Sequence, residues 1–178
     1  MQWMRQPAAF EQQGNRLTLT VEPRTDFWRK TQDDGIRDNG HFYYQRVNGD
    51  FVAGVKVSGR YQALYDQAGL MARLDEITWL KCGIEFVDGV QHASVVVTRD
   101  YSDWSVVPLP QNPDSIFLRL KREGGTMEVF YSLDGAAYTM IRTAYLTSAA
   151  SLQVGLMAAA PQGDGFTVTF ENFALRPA

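Results

Sequence analysis

Short runs of alternating polar and apolar residues, separated by two-residue turns, constrain the fold of this chain more than any other feature. Asn48-Gly49, Asp88-Gly89, Gly124-Gly125 and Asp134-Gly135 each follow such a run. These dipeptides favour tight β-hairpin turns because their residues accept a positive φ. No segment repeats its apolar residues with a helical period of 3.6 residues. The pattern therefore predicts an all-β sandwich of antiparallel strands.

Alternation of side chains also predicts where the strands lie. The predicted strands are Arg16–Glu22, His41–Val47, Phe51–Val57, Ala68–Leu74, Trp79–Val87, Gln91–Thr98, Ile116–Lys121, Thr126–Ser132, Tyr138–Arg142, Ser151–Ala158 and Phe166–Leu175. Two segments, Thr25–Gly40 and Asp100–Pro113, break the pattern and are expected to form long loops. Long loops in a compact domain often carry function.

The bulk composition limits the class of protein. The chain has 178 residues, 45% of them hydrophobic and 21% charged, and a net charge of −3. A single domain spanning 1–178 is expected. The charge gives no sign of a nucleic-acid partner, and no apolar run reaches the ~20 residues of a membrane span. The first ten residues, MQWMRQPAAF, lack the apolar region of a signal peptide, so we expect a cytoplasmic protein.

Cys82 is the only cysteine, so the chain cannot form an internal disulfide. In the run Trp79–Val87 it shares its parity with Leu80, Ile84 and Phe86, which predicts a buried apolar face. We therefore interpret Cys82 as a small buried hydrophobic residue.

The alternating residues that point to the other face of this run are Trp79, Lys81, Gly83 and Glu85. Lys81 and Glu85 are expected to stand roughly 13 Å apart on one face, because a strand rises about 3.3 Å per residue. An indole can stack on a sugar ring, and the two charged groups can bond to hydroxyls, as in an oriented small-ligand site. The alternative is a solvated outer face with a weak Lys–Glu pair.

Six ordered segments resemble the DUF1349 family, also called the regulation-of-enolase family. They read TDFWRKT, NGHFYYQRVNGDF, YDQAGLM, WLKCGIEFVDG, YSDWS and VGLMAAAPQGDGFTVTFENFAL, and together they span nearly the whole chain. The resemblance implies a concanavalin A-like jelly roll, in which two antiparallel sheets pack together and one curves around a concave groove. Related folds of this lectin and glucanase superfamily bind or cleave polysaccharides, but fold alone does not give function.

Four further residues are candidates for the groove. Asp66 and Gln67 precede a predicted strand and could reach a ligand at the sheet edge; alternatively, Asp66 caps a turn and Gln67 bonds to backbone. His41 and His92 could also line the groove, although hydrogen-bonded structural histidines are the better interpretation. Their spacing matches no metal-binding motif, and we predict neither a metal nor a cofactor.

The two predicted loops add aromatic and acidic candidates. Trp28 and Trp104, together with Tyr101, could stack on sugars at the groove rim or could fasten the loops to the sandwich. The oxygen-rich set Asp33, Asp34, Asp38 and Asn39 does not match an EF-hand, and a solvated loop is expected there.

A cytoplasmic carbohydrate-binding domain is the leading functional hypothesis, with a mono- or oligosaccharide held against Trp79 by Lys81, Glu85 and Gln67. A protein-interaction or regulatory domain is the first alternative, as the family name implies. A sugar-active enzyme with Lys81 as acid and Glu85 as base is the second. The paired carboxylates of a glycosidase are not evident, because Glu85 has no acidic neighbour on its face.

Overall fold

The computed structural model describes residues 1–178 and contains sixteen strands and no helix. Two seven-stranded antiparallel sheets form a sandwich, which confirms the all-β, jelly-roll-like prediction. In spatial order, the front sheet consists of β1 (Gln2–Met4), β6 (His41–Asn48), β15 (Ser151–Ala159), β8 (Gln67–Arg73), β9 (Thr78–Val87), β10 (Val90–Arg99) and β11 (Tyr101–Leu109). The back sheet consists of β14 (Thr139–Tyr145), β13 (Thr126–Ser132), β12 (Ile116–Glu123), β7 (Phe51–Gly59), β16 (Phe166–Pro177), β3 (Arg16–Val21) and β2 (Phe10–Gln13).

The main core lies between the two sheets and contains 31 buried residues. From β9 it takes Leu80, Cys82 and Ile84, which confirms the predicted apolar face for these three residues. Phe86, expected on the same face, is only half-buried and lies outside this cluster. Burial raises the pKa of the Cys82 thiol to about 12 because the thiolate would lose its hydration. Cys82 is therefore a packing residue.

A second apolar cluster covers part of the outer face of the front sheet. Its buried members are Phe27, Phe42, Tyr44, Met71, Trp79, Val96 and Met157. Phe27 comes from a small two-stranded hairpin, β4 (Phe27–Arg29) and β5 (Ile36–Asp38), which we call the covering hairpin. The front sheet is thus buried on both faces in this region.

Two glycines allow β8 and β9 to approach closely in the middle of the front sheet. Gly69 and Gly83 are cross-strand partners. A Cβ on Gly83 would lie 2.0 Å from the carbonyl oxygen of Ala68, and one on Gly69 would lie 1.9 Å from that of Cys82. Any side chain at either position would force the strands apart, and the pair leaves the outer face bare between Lys81 and Glu85.

The two predicted loops contain strands instead. Asp100–Pro113 was expected to be irregular, but most of it forms β11, which pairs with β10 at the sheet edge. An edge strand tolerates Pro108 because its missing N–H can face solvent. Thr25–Gly40 contains the covering hairpin. No helix in the structure is long and apolar enough to cross a bilayer.

Candidate functional site

A cavity of about 620 Å³ lies between the covering hairpin and the polar part of the front sheet. It is lined by Arg5, Arg24, Asp26, Trp28, Gln32, Asp33, Ile36, Arg37, Asp38, Asn39, Tyr65, Gln67, Lys81, Glu85, Trp104, Pro161 and Gln162. Five of the residues selected from the sequence therefore meet here: Trp28, Gln67, Lys81, Glu85 and Trp104.

Glu85 forms part of the cavity floor and is held in place by side chains from β10, the adjacent strand, and from β11, the strand beyond it. Ser94 on β10 donates its hydroxyl to Oε2 at 2.6 Å, and Trp104 on β11 donates its indole N–H to the same oxygen at 2.8 Å. Both donors are neutral, so no cation pairs with this carboxylate, and Oε1 has no partner within the chain. Oε1 is consequently available to accept a hydrogen bond from a ligand hydroxyl.

Lys81 is almost fully buried and connects the covering hairpin to the sheet. Its ammonium donates to the carbonyl oxygen of Phe27 at 2.7 Å and to Oε1 of Gln67, and it lies 3.6 Å from Oδ1 of Asp26. A buried ammonium needs such partners to offset its lost hydration. Because these partners occupy its donors, Lys81 is poorly placed to act as a proton donor to a ligand.

The covering hairpin is also fastened at its other side, to the turn between β10 and β11. The backbone N–H of Arg29 donates to Oγ of Ser102 at 2.9 Å. Lys30 and Arg29 both form ion pairs with Asp100. Hydrogen bonds from Lys30 and then Arg29 lower the pKa of the Asp100 carboxyl. These contacts and those of Lys81 attach the hairpin to the sheet at two places, and Asp38, which pairs with Arg73 on β8, adds a third.

Aromatic rings and strained backbone shape the cavity wall. Tyr65 packs edge-on against Trp104, with ring centroids 6.2 Å apart. Trp28 donates its indole N–H to the carbonyl oxygen of Thr31 at 2.8 Å. Four lining residues that are not glycine have a positive φ: Arg5, Arg24, Gln32 and Tyr65. Such conformations cost about 1–3 kcal/mol each and concentrate at functional sites.

The expected role of Trp79 is wrong, because this side chain is only 1% exposed and belongs to the second apolar cluster. Its ring packs edge-on against Phe27, with centroids 6.3 Å apart. The hairpin that covers Trp79 is more than forty residues away in the sequence and could not be placed by strand parity. Trp28 and Trp104 supply the indoles of the cavity instead.

Asp66, His41 and His92 do not line the cavity. Oδ2 of Asp66 accepts the backbone N–H groups of Gln62 and Ala63, so Asp66 caps a turn. Burial raises the pKa of its carboxyl. His92 contacts the carbonyl oxygen of Val90 through Nδ1, whereas His41 bonds to backbone through both ring nitrogens.

The acidic loop of the covering hairpin is engaged in local ion pairs. Asp33 pairs with Arg37, and their hydrogen bond lowers the pKa of Asp33. Asp38 forms a bidentate salt bridge with Arg73 on β8. No group of three or more His, Cys, Asp or Glu side chains is arranged to hold a metal ion.

Asp26, Tyr65 and the two arginines at the cavity mouth, Arg5 and Arg24, were not selected from the sequence. Asp26 and Tyr65 lie inside segments that were singled out, TDFWRKT and YDQAGLM, but were not themselves named as candidates. No local pattern identifies the arginines, because they come from separate connections that only the folded chain brings to one cavity.

Comparison with known proteins identifies the family. Residues 3–178 match the family model described as "Protein of unknown function (DUF1349)". The chain is 38% identical over 173 residues to "Regulation of enolase protein 1" of Saccharomyces cerevisiae; the match covers 97% of this chain and 87% of that protein.

Solved structures agree with this assignment. A crystal structure of a Saccharomyces cerevisiae protein described as functionally unknown superposes with a TM-score of 0.95 at 37% identity, covering 99% of this chain and 96% of the other. A GH43 protein from Bacillus licheniformis, at 16% identity, superposes with a TM-score of 0.73 over 99% of this chain and 36% of its own, which shows likeness of fold only. By the near-complete family match and the identity to the yeast protein, the chain belongs to the DUF1349 family.

Proposed function

We propose that the cavity binds a mono- or oligosaccharide. The observation that supports this most directly is the fixed carboxylate of Glu85, with a free Oε1, in a cavity that also presents Trp28 and Trp104. Sugars offer hydroxyl donors on their edges and C–H groups on their faces, so they match a carboxylate beside indole rings. The volume of about 620 Å³ falls within the range of small-ligand sites.

Preorganisation adds to this argument. The ion pairs and hydrogen bonds of Lys81 and Asp100 hold the covering hairpin over the sheet. A ligand entering a preformed cavity loses less free energy to the ordering of the protein. The fold neighbours among GH43 proteins are consistent with sugar binding, although at under 25% identity they support the fold alone. We retain the cytoplasm as the predicted location.

Calorimetric titration with neutral mono- and oligosaccharides tests the proposal. The wild type should bind at least one of them at millimolar concentration or tighter. Glu85→Gln should weaken that binding about tenfold, since a hydrogen bond to a charged group contributes about 1.5–3 kcal/mol. Glu76→Gln is the matched control, because Glu76 is exposed and does not line the cavity. No binding by the wild type to any sugar would refute the proposal.

Protein interaction is the second candidate, favoured by the name of the yeast relative, which refers to regulation of enolase. Beside the covering hairpin, β11 offers an exposed aromatic residue, Tyr101, which is 58% exposed and has the Lys30 ammonium 5.2 Å from its ring. A stoichiometric protein recovered from native lysate, lost with Tyr101→Ala but retained with Glu85→Gln, would favour this candidate over sugar binding.

A further inference from the structure

We propose that the sugar bound in the cavity carries an anionic group, a carboxylate or a phosphate, which Arg5 and Arg24 bind at the cavity mouth. This inference rests on the proposed function and narrows it to acidic sugars. It follows from the charges that line the cavity, from how the two arginines are fixed, and from their separation from Glu85.

Five of the eight charged side chains that line the cavity form ion pairs with each other or with neighbours. Asp33 pairs with Arg37, Asp38 with Arg73, and Asp26 with Lys81. These pairs neutralise three of the four lining carboxylates and engage two of the four lining cations.

Arg5 and Arg24 are the cations that remain without a carboxylate partner. The only bond from the Arg5 side chain goes from Nε to the carbonyl oxygen of Asp38, at 3.3 Å, so both Nη groups stay free. The Arg24 side chain has no hydrogen bond or ion pair, and it is exposed. A guanidinium presents a planar fork of donors that fits the oxygens of a carboxylate or phosphate.

The backbones of both arginines are held in place by two side chains from one short segment. Asn39 donates to the carbonyl oxygen of Arg24 at 2.9 Å. His41 bonds to the carbonyl oxygen of Arg5 through Nδ1 at 2.9 Å and accepts the N–H of Glu22 through Nε2 at 3.1 Å. Arg5 and Arg24 both adopt φ of +58°, a conformation that costs non-glycine residues about 1–3 kcal/mol and so requires support from neighbours.

Both arginines are set apart from Glu85 across the front sheet. Arg24 is about two strands away, because its neighbours Pro23 and Thr25 contact Ala160 just after β15, and Arg5 is further. Arg5 directly follows β1, at one edge of the front sheet, whereas Glu85 lies on β9, four strands further across. At ~4.8 Å per strand, this separation is roughly 19 Å between backbones. A ligand can therefore place its anionic group at Arg5 and Arg24 and its hydroxyls at Glu85, which keeps the anionic group away from the Glu85 carboxylate.

The test compares acidic sugars with uncharged counterparts of the same skeleton, by calorimetry with the full chain. One arm uses trigalacturonate against its methyl ester and glucuronate-bearing xylo-oligosaccharides against the unsubstituted ones; another uses hexose phosphates against the free hexoses. We expect an acidic member to bind at least about tenfold tighter than its neutral counterpart, with an affinity that falls as salt is added. The arm that shows the preference distinguishes a carboxylate from a phosphate.

Paired variants assign the preference to the two arginines. The combination of Arg5→Gln and Arg24→Gln should remove the preference and leave the binding of neutral sugars within about twofold. The control combines Arg46→Gln with Arg60→Gln, which removes the same charge from exposed positions outside the cavity. Neutral sugars bound as tightly as acidic ones, or a preference that survives in the cavity variant, would overturn this inference and leave the proposed function standing. Absence of binding to every sugar would overturn both.

Discussion

Trp104 donates its indole N–H to the same carboxylate oxygen of Glu85, Oε2, that also accepts the hydroxyl of Ser94. Side chains from β10 and β11 thus orient one carboxylate on β9 and leave its other oxygen facing the cavity. The arrangement makes Trp104 a structural support of the site as well as part of its wall.

We expect Trp104→Phe to lower the free energy of unfolding by about 2 kcal/mol, because it removes a hydrogen bond to a charged acceptor. Trp28→Phe is the matched control, since the indole of Trp28 donates to a neutral carbonyl oxygen, and its loss should cost only about 1 kcal/mol. Urea unfolding of both variants measures the difference. Equal losses would show that the bond to Glu85 adds no more than a neutral one.

Lys81→Met should loosen the covering hairpin, because it removes one of its attachments to the sheet. The change keeps the apolar stem but leaves Asp26 without its cation, at a cost of about 3 kcal/mol. Hydrogen exchange should become faster in residues 25–40, while the strands of the back sheet keep their relative protection. Lys56→Met, which breaks a half-exposed ion pair with Glu171, serves as the control and should change little. Unaltered exchange in the hairpin would refute the anchoring role.

Gly83→Ala should destabilise the protein by about 3 kcal/mol or more, because the new Cβ would collide with the backbone of β8. Gly54→Ala is a matched change on the back sheet, where the new Cβ would meet only one atom, at an ordinary 3.5 Å. Thermal unfolding should therefore separate the two glycines clearly. Similar stabilities would mean that the strands can move apart at little cost.

Asp66 and Asp100 should contribute to stability with opposite signs at neutral pH, and both contributions should change in acid. Burial raises the pKa of Asp66, so the native fold disfavours its charged form. Asp66→Asn retains an acceptor for the turn and should be more stable than the wild type at neutral pH. That advantage should shrink as the pH falls through the raised pKa, because the wild-type carboxyl then becomes neutral too.

Asp100 provides the opposite case, since hydrogen bonds from Lys30 and Arg29 lower its pKa. Its stabilising contribution is present above the pKa of the unfolded chain and is lost as the pH falls through the lowered pKa. Asp100→Asn should thus be less stable than the wild type at neutral pH, with a difference that closes in acid. Thermal unfolding of both variants and the wild type, at acidic and neutral pH, measures these differences. If both variants were more stable than the wild type at neutral pH, or both less stable, the causes assigned to the two pKa shifts would be wrong.

The sequence was sufficient to predict most of the strands, because strand alternation is a local property. Leu80 and Ile84 face the main core while Lys81 and Glu85 share the outer face, as their parity predicted. Turn residues such as Asn48-Gly49 marked the ends of strands for the same reason. The prediction was wrong at β11, a strand that contains Pro108. A strand at a sheet edge tolerates proline, whereas an interior strand does not.

The cavity depended on contacts that local patterns do not contain. Phe27 covers Trp79 although 52 positions separate them, and the charged residues around Phe27 suggested an exposed loop. Parity placed Trp79 on the correct face of β9, but only the folded chain shows that this part of the face is buried. The same limit explains why Arg5 and Arg24 were overlooked, since each comes from a connection without a recognisable pattern.

The second apolar cluster has a consequence for the handling of this protein. Proteolysis or a mutation that detaches the covering hairpin would expose Trp79, Phe42 and Met157. The sandwich would stay folded but would carry a hydrophobic patch on its front sheet. Exposed hydrophobic patches of this kind promote self-association. Detachment of the hairpin should therefore cause aggregation of nearly native molecules before global unfolding is detected.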